Sequence, residues 1–198
     1  MKVRHWMIKE VITVSPEDHL EKAVQLMKLH SVRHLPVVEN GRLVGLVTES
    51  SIRQYARPEE LDKPLREIMI LNPITVSPDT TIEAAAKIIY QHKIGGLPVV
   101  EGDRLVGIIT ITDILEAFIE LMGLLRSSSR LDVIPREPEG LDGVLEIVRA
   151  HGGKVISIGM DVESSGEKVY LIRLERMPLE SLVSSLEMAG HRVISVVD

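Results

Sequence analysis

The sequence predicts a chain of α/β (α+β) class built from three modules: two copies of one unit packed as a pseudo-twofold pair, then a unit of different pattern. Three observations carry this. Residues 35–52 (LPVVENGRLVGLVTESSI) and 97–114 (LPVVEGDRLVGIITITDI) are nearly the same text. Sliding the chain by about 62 residues aligns Ile12-Thr13-Val14-Ser15-Pro16 with Ile74-Thr75-Val76-Ser77-Pro78 and holds register, without gaps, to Ile52 and Ile114. At Arg126-Ser127-Ser128-Ser129-Arg130 the pattern breaks into what reads as a linker, after which periodic segments resume. The predicted modules are residues 1–60, 61–126 and 127–198.

Each copy opens with a short strand and then Ser-Pro-acid. Ser15 or Ser77 suits a helix N-cap, Pro16 or Pro78 its first turn, and Asp18 or Asp79 the positive end of the helix dipole. The helix that follows carries Leu20, Ala23, Val24 and Met27, or Ile82, Ala85, Ala86 and Ile89, at i, i+3, i+4 and i+7, so one stripe is buried. A strand (35–38), a turn at Asn40-Gly41 or Gly102-Asp103, and a second strand (43–47 or 105–109) make a hairpin. Segments 50–55 and 112–125 close each copy as helices. One such unit buries too little apolar surface to stand comfortably alone, and pairing relieves that. A groove at the pseudo-twofold follows, faced by corresponding residues of both copies.

The third module predicts a strand (131–136), a helix with Leu141, Val144, Leu145 and Val148 inward, and a stop at Gly152-Gly153. Two strands (154–162 and 168–175), a helix from Pro178 and a last strand (192–197) complete it. The order βαββαβ is the ferredoxin-like layout, a four-stranded antiparallel sheet with helices on one face.

Composition narrows the functions. The chain has 198 residues, 44% hydrophobic and 26% charged, an ordinary globular balance. A net charge of −6 gives no overall attraction to nucleic acid or anionic membranes. The absence of cysteine excludes disulfides, thiolate metal sites and thiol nucleophiles. The first residues lack the apolar core of a secretory signal and no run approaches a membrane span, so a soluble cytoplasmic protein is the expectation.

The repeats resemble CBS domains, two of which form a Bateman module. The residues carrying the resemblance are the repeated LPVV, the strands Gly45-Leu46-Val47-Thr48 and Gly107-Ile108-Ile109-Thr110, and Asp113 three positions after Thr110. The tail, with its Pro138-Glu139-Gly140 turn, resembles an ACT domain, and the order CBS, CBS, ACT is similar to the bacterial acetoin-utilisation proteins. The resemblance implies a regulator that binds an adenine nucleotide (AMP, ADP, ATP or S-adenosylmethionine) between the repeats. It also implies an ACT unit that binds an amino acid or dimerises, homodimers, and a link to acetoin metabolism.

The chemistry of the candidate residues runs alongside. A ribose offers two adjacent hydroxyls, and the Asp113 carboxylate can accept from both. Thr110 and Thr112 bring hydroxyls to a helix N-terminus where a phosphate could sit; the plain alternative is that Thr112 or Asp113 is only a helix cap. In the first copy Thr48 matches Thr110, but Ser51 stands where the carboxylate should be, and that pocket is weak, differently specific or vestigial. At the entrance to LPVV the resemblance makes Arg33 and His34 candidates for a phosphate tail, against a solvated Arg33. Gly96, with Gly95, would let backbone approach a base, or simply turn the chain at a helix end. Ile12 and Ile74 could wall an adenine slot, although core packing accounts for both. In the tail Arg136 could pair with an amino-acid carboxylate beside Gly140, or the segment is a helix start and nothing more.

Nothing in the sequence assembles a metal site, a P-loop or a Ser/His/Asp grouping, so a catalyst is not expected. The competing reading is an interaction module with degenerate pockets that works through dimerisation alone.

Overall fold

In a computed structural model, residues 1–55 and 57–197 are described. Two helices with the predicted stripes come first in each repeat: α1 (Leu20–His30) buries Leu20, Ala23 and Met27, and α3 (Ile82–His92) buries Ile82, Ala85 and Ile89. Each ends at a left-handed residue, Ser31 or Lys93, whose N–H donates to the carbonyl of Met27 or Ile89. The helix starts differ from expectation. Ser15 and Ser77 do not cap α1 and α3; they head tight turns in which Asp18 Oδ2 accepts from the Ser15 N–H (2.8 Å) and Thr80 Oγ1 from the Ser77 N–H (3.1 Å). The side chains that would have drawn the helices to begin at the prolines are used to close those turns.

The hairpins are β1 (His34–Glu39) with β2 (Arg42–Thr48), and β4 (Gly96–Glu101) with β5 (Arg104–Thr110). They join in one sheet of order β1-β2-β5-β4, the two halves meeting at Arg42 opposite Arg104. Short helix α2 (Glu49–Ile52) follows β2 and α4 (Ile111–Met122) follows β5. The expected opening strands around Val14 and Val76 are reduced to single parallel bridges to Val37 and Val99.

A feature the repeat alignment hides is an exchange of lead-in segments. Residues preceding the second repeat pack on the first: Leu65 and Ile68 sit in its buried core, and β3 (Ile70–Leu71) pairs with β2 opposite Leu46 and Gly45. The N-terminal residues reciprocate. Ile8 bridges to Ile108 on β5, and the Val3 N–H donates to the Thr80 carbonyl (2.9 Å). Gly45 and Gly107 admit this exchange. A Cβ on Gly45 would lie 2.5 Å from Met69 Sδ, and one on Gly107 would lie 2.7 Å from Met7 Sδ. Each repeat is thus completed by the other's lead-in, which adds buried apolar surface to a unit too small to stand comfortably alone.

The chain divides into two compact units, Met1–Ala117 and the residues from Phe118 onward. In the second, β6 (Ser128–Ile134), α5 (Gly140–Ala150), β7 (Val155–Val162), β8 (Lys168–Glu175), α6 (Glu180–Met188) and β9 (Arg192–Val197) follow in order. The antiparallel sheet runs β7-β8-β6-β9, and Leu131, Val133, Ile172 and Leu174 meet Val144, Val148, Leu182 and Leu186 in one core. The serine segment is not simply a linker. Ser129 is fully buried in β6, where its hydroxyl donates to the Met177 carbonyl (3.0 Å) and accepts from the Met177 N–H (3.2 Å). Small polar side chains resemble a linker in composition, yet a buried serine with both roles satisfied fits a strand end well.

Candidate functional site

Two clefts open between the repeats, and they are built crosswise. The cleft of about 270 Å³ takes Thr110, Thr112 and Asp113 from the second repeat and Arg33 and His34 from the first, with Ile8 on its wall. The cleft of about 260 Å³ takes Thr48, Ser50 and His34 from the first repeat and Ile70, Ile74 and Gly96 from the second. They are called below the Asp113 cleft and the Thr48 cleft.

Local hydrogen bonding explains why the two differ. At the start of α2, Ser51 Oγ accepts from the Thr48 N–H (3.0 Å), Thr48 Oγ1 accepts from the Ser51 N–H (3.0 Å), and Ser51 Oγ donates to the Thr48 carbonyl (3.0 Å). This is a reciprocal capping box in which the Ser51 hydroxyl both accepts and donates, its one proton spent on the Thr48 carbonyl. Ser51 lines neither cleft; Ser50 reaches the Thr48 cleft instead. At the start of α4, Asp113 does the same structural work, its Oδ2 accepting from the Thr110 N–H and the Thr110 hydroxyl, both at 2.7 Å. A carboxylate has a second oxygen, and Oδ1 of Asp113 makes no hydrogen bond among the described residues. The cap and the acceptor are one side chain. Thr110 is altered as a candidate: its single O–H is directed at Asp113 and is not available to a phosphate, whereas Thr112 is exposed at the cleft.

The remaining candidates separate. Arg33 is exposed and lines the Asp113 cleft, while His34 is half-buried and lines both. Burial pushes the His34 imidazole below its ordinary pKa, and the Arg33 guanidinium adds to the shift. Ile74 is exposed on the wall of the Thr48 cleft. Ile12 packs against the core of the first repeat and lines neither cleft, so the alternative of core packing accounts for it. Gly95 and Gly96 do not turn the chain at the helix end, where Lys93 takes the left-handed conformation. They keep a passage open: a Cβ on Gly96 would lie 3.2 Å from the Ile109 carbonyl oxygen, and one on Gly95 would lie 2.8 Å from the His34 ring. Ile8, Ile70, Ser50, Asn72 and Lys93 are lining residues that the sequence reading did not single out. The signal was present, since Met7-Ile8 and Met69-Ile70 are repeat-related and extend the alignment upstream of Ile12.

In the C-terminal unit a cavity of about 380 Å³ is lined by Gly140, Glu137, Glu167, Lys168 and Tyr170 among others. Gly140, at φ 59°, belongs to it. Arg136 does not line it. Its backbone N–H donates to His191 Nδ1 (3.0 Å), and its side chain packs on Gly190 and donates to the Ala189 carbonyl at the end of α6 (3.5 Å). A guanidinium at a helix C-terminus complements the dipole there.

Residues 3–57, and again 65–120, match the family described as CBS domain. The chain belongs to the CBS-domain family. The CBS domain-containing protein YhcV of Bacillus subtilis is 36% identical over 114 residues, 57% of this chain and 81% of that protein. The inosine-5'-monophosphate dehydrogenase of Korarchaeum cryptofilum is 40% identical over 114 residues, a stretch that is 23% of the dehydrogenase's length. Among solved structures, the acetoin utilization protein AcuB of Vibrio cholerae is similar over 63% of this chain and 95% of its own, at 34% identity and a TM-score of 0.57. The CBS domain pair of protein MJ0100, in complex with 5'-methylthioadenosine and S-adenosyl-L-methionine, is similar over 60% of this chain and 95% of its own, at 32% identity and a TM-score of 0.55. CBSX2 in complex with AMP gives 26% identity and a TM-score of 0.54 over 60% of this chain and 96% of its own. These likenesses concern the CBS pair, and among the described residues no helix is long and apolar enough to cross a membrane.

Proposed function

We propose that the chain is a non-catalytic regulator that binds an adenine nucleotide in the Asp113 cleft. The observation that carries this reading is the unpartnered Oδ1 of Asp113 on the wall of a cleft that also holds Arg33 and Thr112. An acceptor for the ribose diol, a cation for a phosphate and a hydroxyl donor line one space. The ligands named for MJ0100 and CBSX2 all carry an adenosine, which supplies that diol. The Thr48 cleft has Lys93 as its fixed cation and no carboxylate, and is the weaker site. In this reading the C-terminal unit is ACT-like and serves amino-acid binding at Gly140 or homodimerisation. The likeness to AcuB supports a role in acetoin metabolism, and this reading takes the protein to work in the cytoplasm. An interaction module without ligand is the second reading, favoured by the engagement of the Ser51 hydroxyl in its own capping box.

The test is a thermal-shift titration with AMP, ADP, ATP and S-adenosylmethionine on the native chain and on Asp113→Ser. Serine can form the capping box of the first repeat and removes the free acceptor together with its charge. Ligand at 100 times Kd should stabilise the native chain by about 2.7 kcal/mol. Loss of charge-assisted hydrogen bonds should weaken binding by about 1.5–3 kcal/mol, tenfold or more, in the variant. No shift from any of the four favours the interaction module.

A further inference from the structure

His34 is the wall that the two clefts share. It opens β1 opposite Thr48 and lines both clefts. Its ring lies against Gly95, so close that a Cβ there would sit 2.8 Å from Cε1 and Nε2. The repeat-related position is Gly96, which has no side chain to offer, so one imidazole fills the space where a symmetric pair would bring two. The backbone on both sides of the ring is tied down: the Glu49 N–H donates to the Arg33 carbonyl (2.9 Å) and the Ile111 N–H to the Gly95 carbonyl (3.1 Å). The ring itself makes no hydrogen bond among the described residues, so no polar partner fixes the rotamer of this half-buried side chain.

The clefts, at about 260 and 270 Å³, lie near the lower end of small-molecule sites, so a nucleoside in either one packs closely against its lining, His34 included. In the Asp113 cleft, Asp113 and Thr110 are held by their mutual bonds and the exposed Arg33 can turn to solvent, whereas His34 is the lining side chain that also borders the other cleft. Ring displacement out of one cleft is displacement into the other.

We propose that His34 is a swinging partition that makes the two clefts antagonistic: an adenosine-type ligand in the Asp113 cleft drives the imidazole into the Thr48 cleft and lowers the affinity there. This rests on the adenosine reading of the Asp113 cleft and adds to it a stoichiometry and a coupling. By linkage the antagonism is reciprocal, and coupling of ordinary size separates the two affinities by about 5- to 150-fold.

The experiment is isothermal titration calorimetry of AMP into the full chain, native and as His34→Gly, which copies Gly96, with His34→Ala as a second variant that keeps the strand stiffer. The native chain should bind one AMP and then a second at least about tenfold more weakly. Either variant should narrow the ratio of the two steps by at least about fivefold, the size of the coupling lost, and leave the intrinsic difference between a cleft with Asp113 and one without. Two equal steps in the native chain, or an unchanged ratio in both variants, would overturn the partition while leaving the nucleotide reading intact. Absence of binding by AMP, S-adenosylmethionine and 5'-methylthioadenosine in every form would instead remove the nucleotide reading, and the partition with it.

Discussion

Asp113 and Ser51 occupy the same position of a repeated motif and perform the same capping task, yet only the carboxylate has an oxygen left over. A cap and a ligand acceptor are often treated as competing explanations of one residue; here the hydrogen bonds make them compatible, because Oδ2 and Oδ1 are separately disposed. His34 carries the pH dependence of the pair. Its pKa is lowered by burial first and by Arg33 second, so the folded state binds fewer protons than the unfolded chain in the window below about 6.5. Stability is then full above that window and declines as pH falls from about 6.5 to the lowered folded value. The charged groups lining the two clefts around it are Arg33, Lys93 and Asp113. Urea denaturation between pH 7.5 and pH 5 should show a decline in the native chain that is shallower in His34→Gly; identical slopes would remove His34 as the source.

At the scale of elements, the lead-in segments and the glycines that receive them decide whether the hairpins can be shared. Gly107→Ala would place a methyl group 2.7 Å from Met7 Sδ and 3.0 Å from the Ile8 carbonyl oxygen. Overpacking of this kind costs about 1–3 kcal/mol. Urea denaturation should give a lower midpoint with an unchanged slope, and a variant as stable as the native chain would show that Met7 and Ile8 do not lie on β5. The sequence made the hairpins and helix stripes legible because alternation and 3.6-residue periodicity are local properties. It misplaced the starts of α1 and α3, since Ser15 and Ser77 head turns closed by Asp18 and Thr80 as readily as they cap helices. It took Ser128 and Ser129 for linker because nothing local reveals that Met177 supplies both partners of a buried hydroxyl. Among the candidate residues, Thr110, Thr112 and Asp113, singled out by the resemblance and their side-chain chemistry, line one cleft with Arg33 and His34. Ile74 and Gly96 fall in the other cleft, because the clefts are built crosswise and no single-repeat pattern records that.

At the scale of the molecule, the exchange makes each repeat's stability depend on residues that belong by sequence to the other. Leu65 and Ile68 lie in the core of the first repeat, and Val3, fully buried, sits beside the Ser77–Thr80 turn of the second. Deleting residues 1–9 should therefore raise amide hydrogen exchange in β4 and β5 of the second repeat more than in β1 and β2 of the first, although the deleted residues precede the first. Faster exchange confined to β1 and β2 would contradict the exchange of segments. The same crossing puts Ile8 beside Asp113 and Ile70 beside Thr48, so the interlock that stabilises the pair also shapes its two clefts. A crystal structure of the chain grown with AMP should show both ribose hydroxyls within hydrogen-bonding distance of the Asp113 carboxylate and the imidazole of His34 turned toward Thr48; AMP bound with its ribose away from Asp113, or that cleft empty at saturating AMP, would refute nucleotide binding through Asp113.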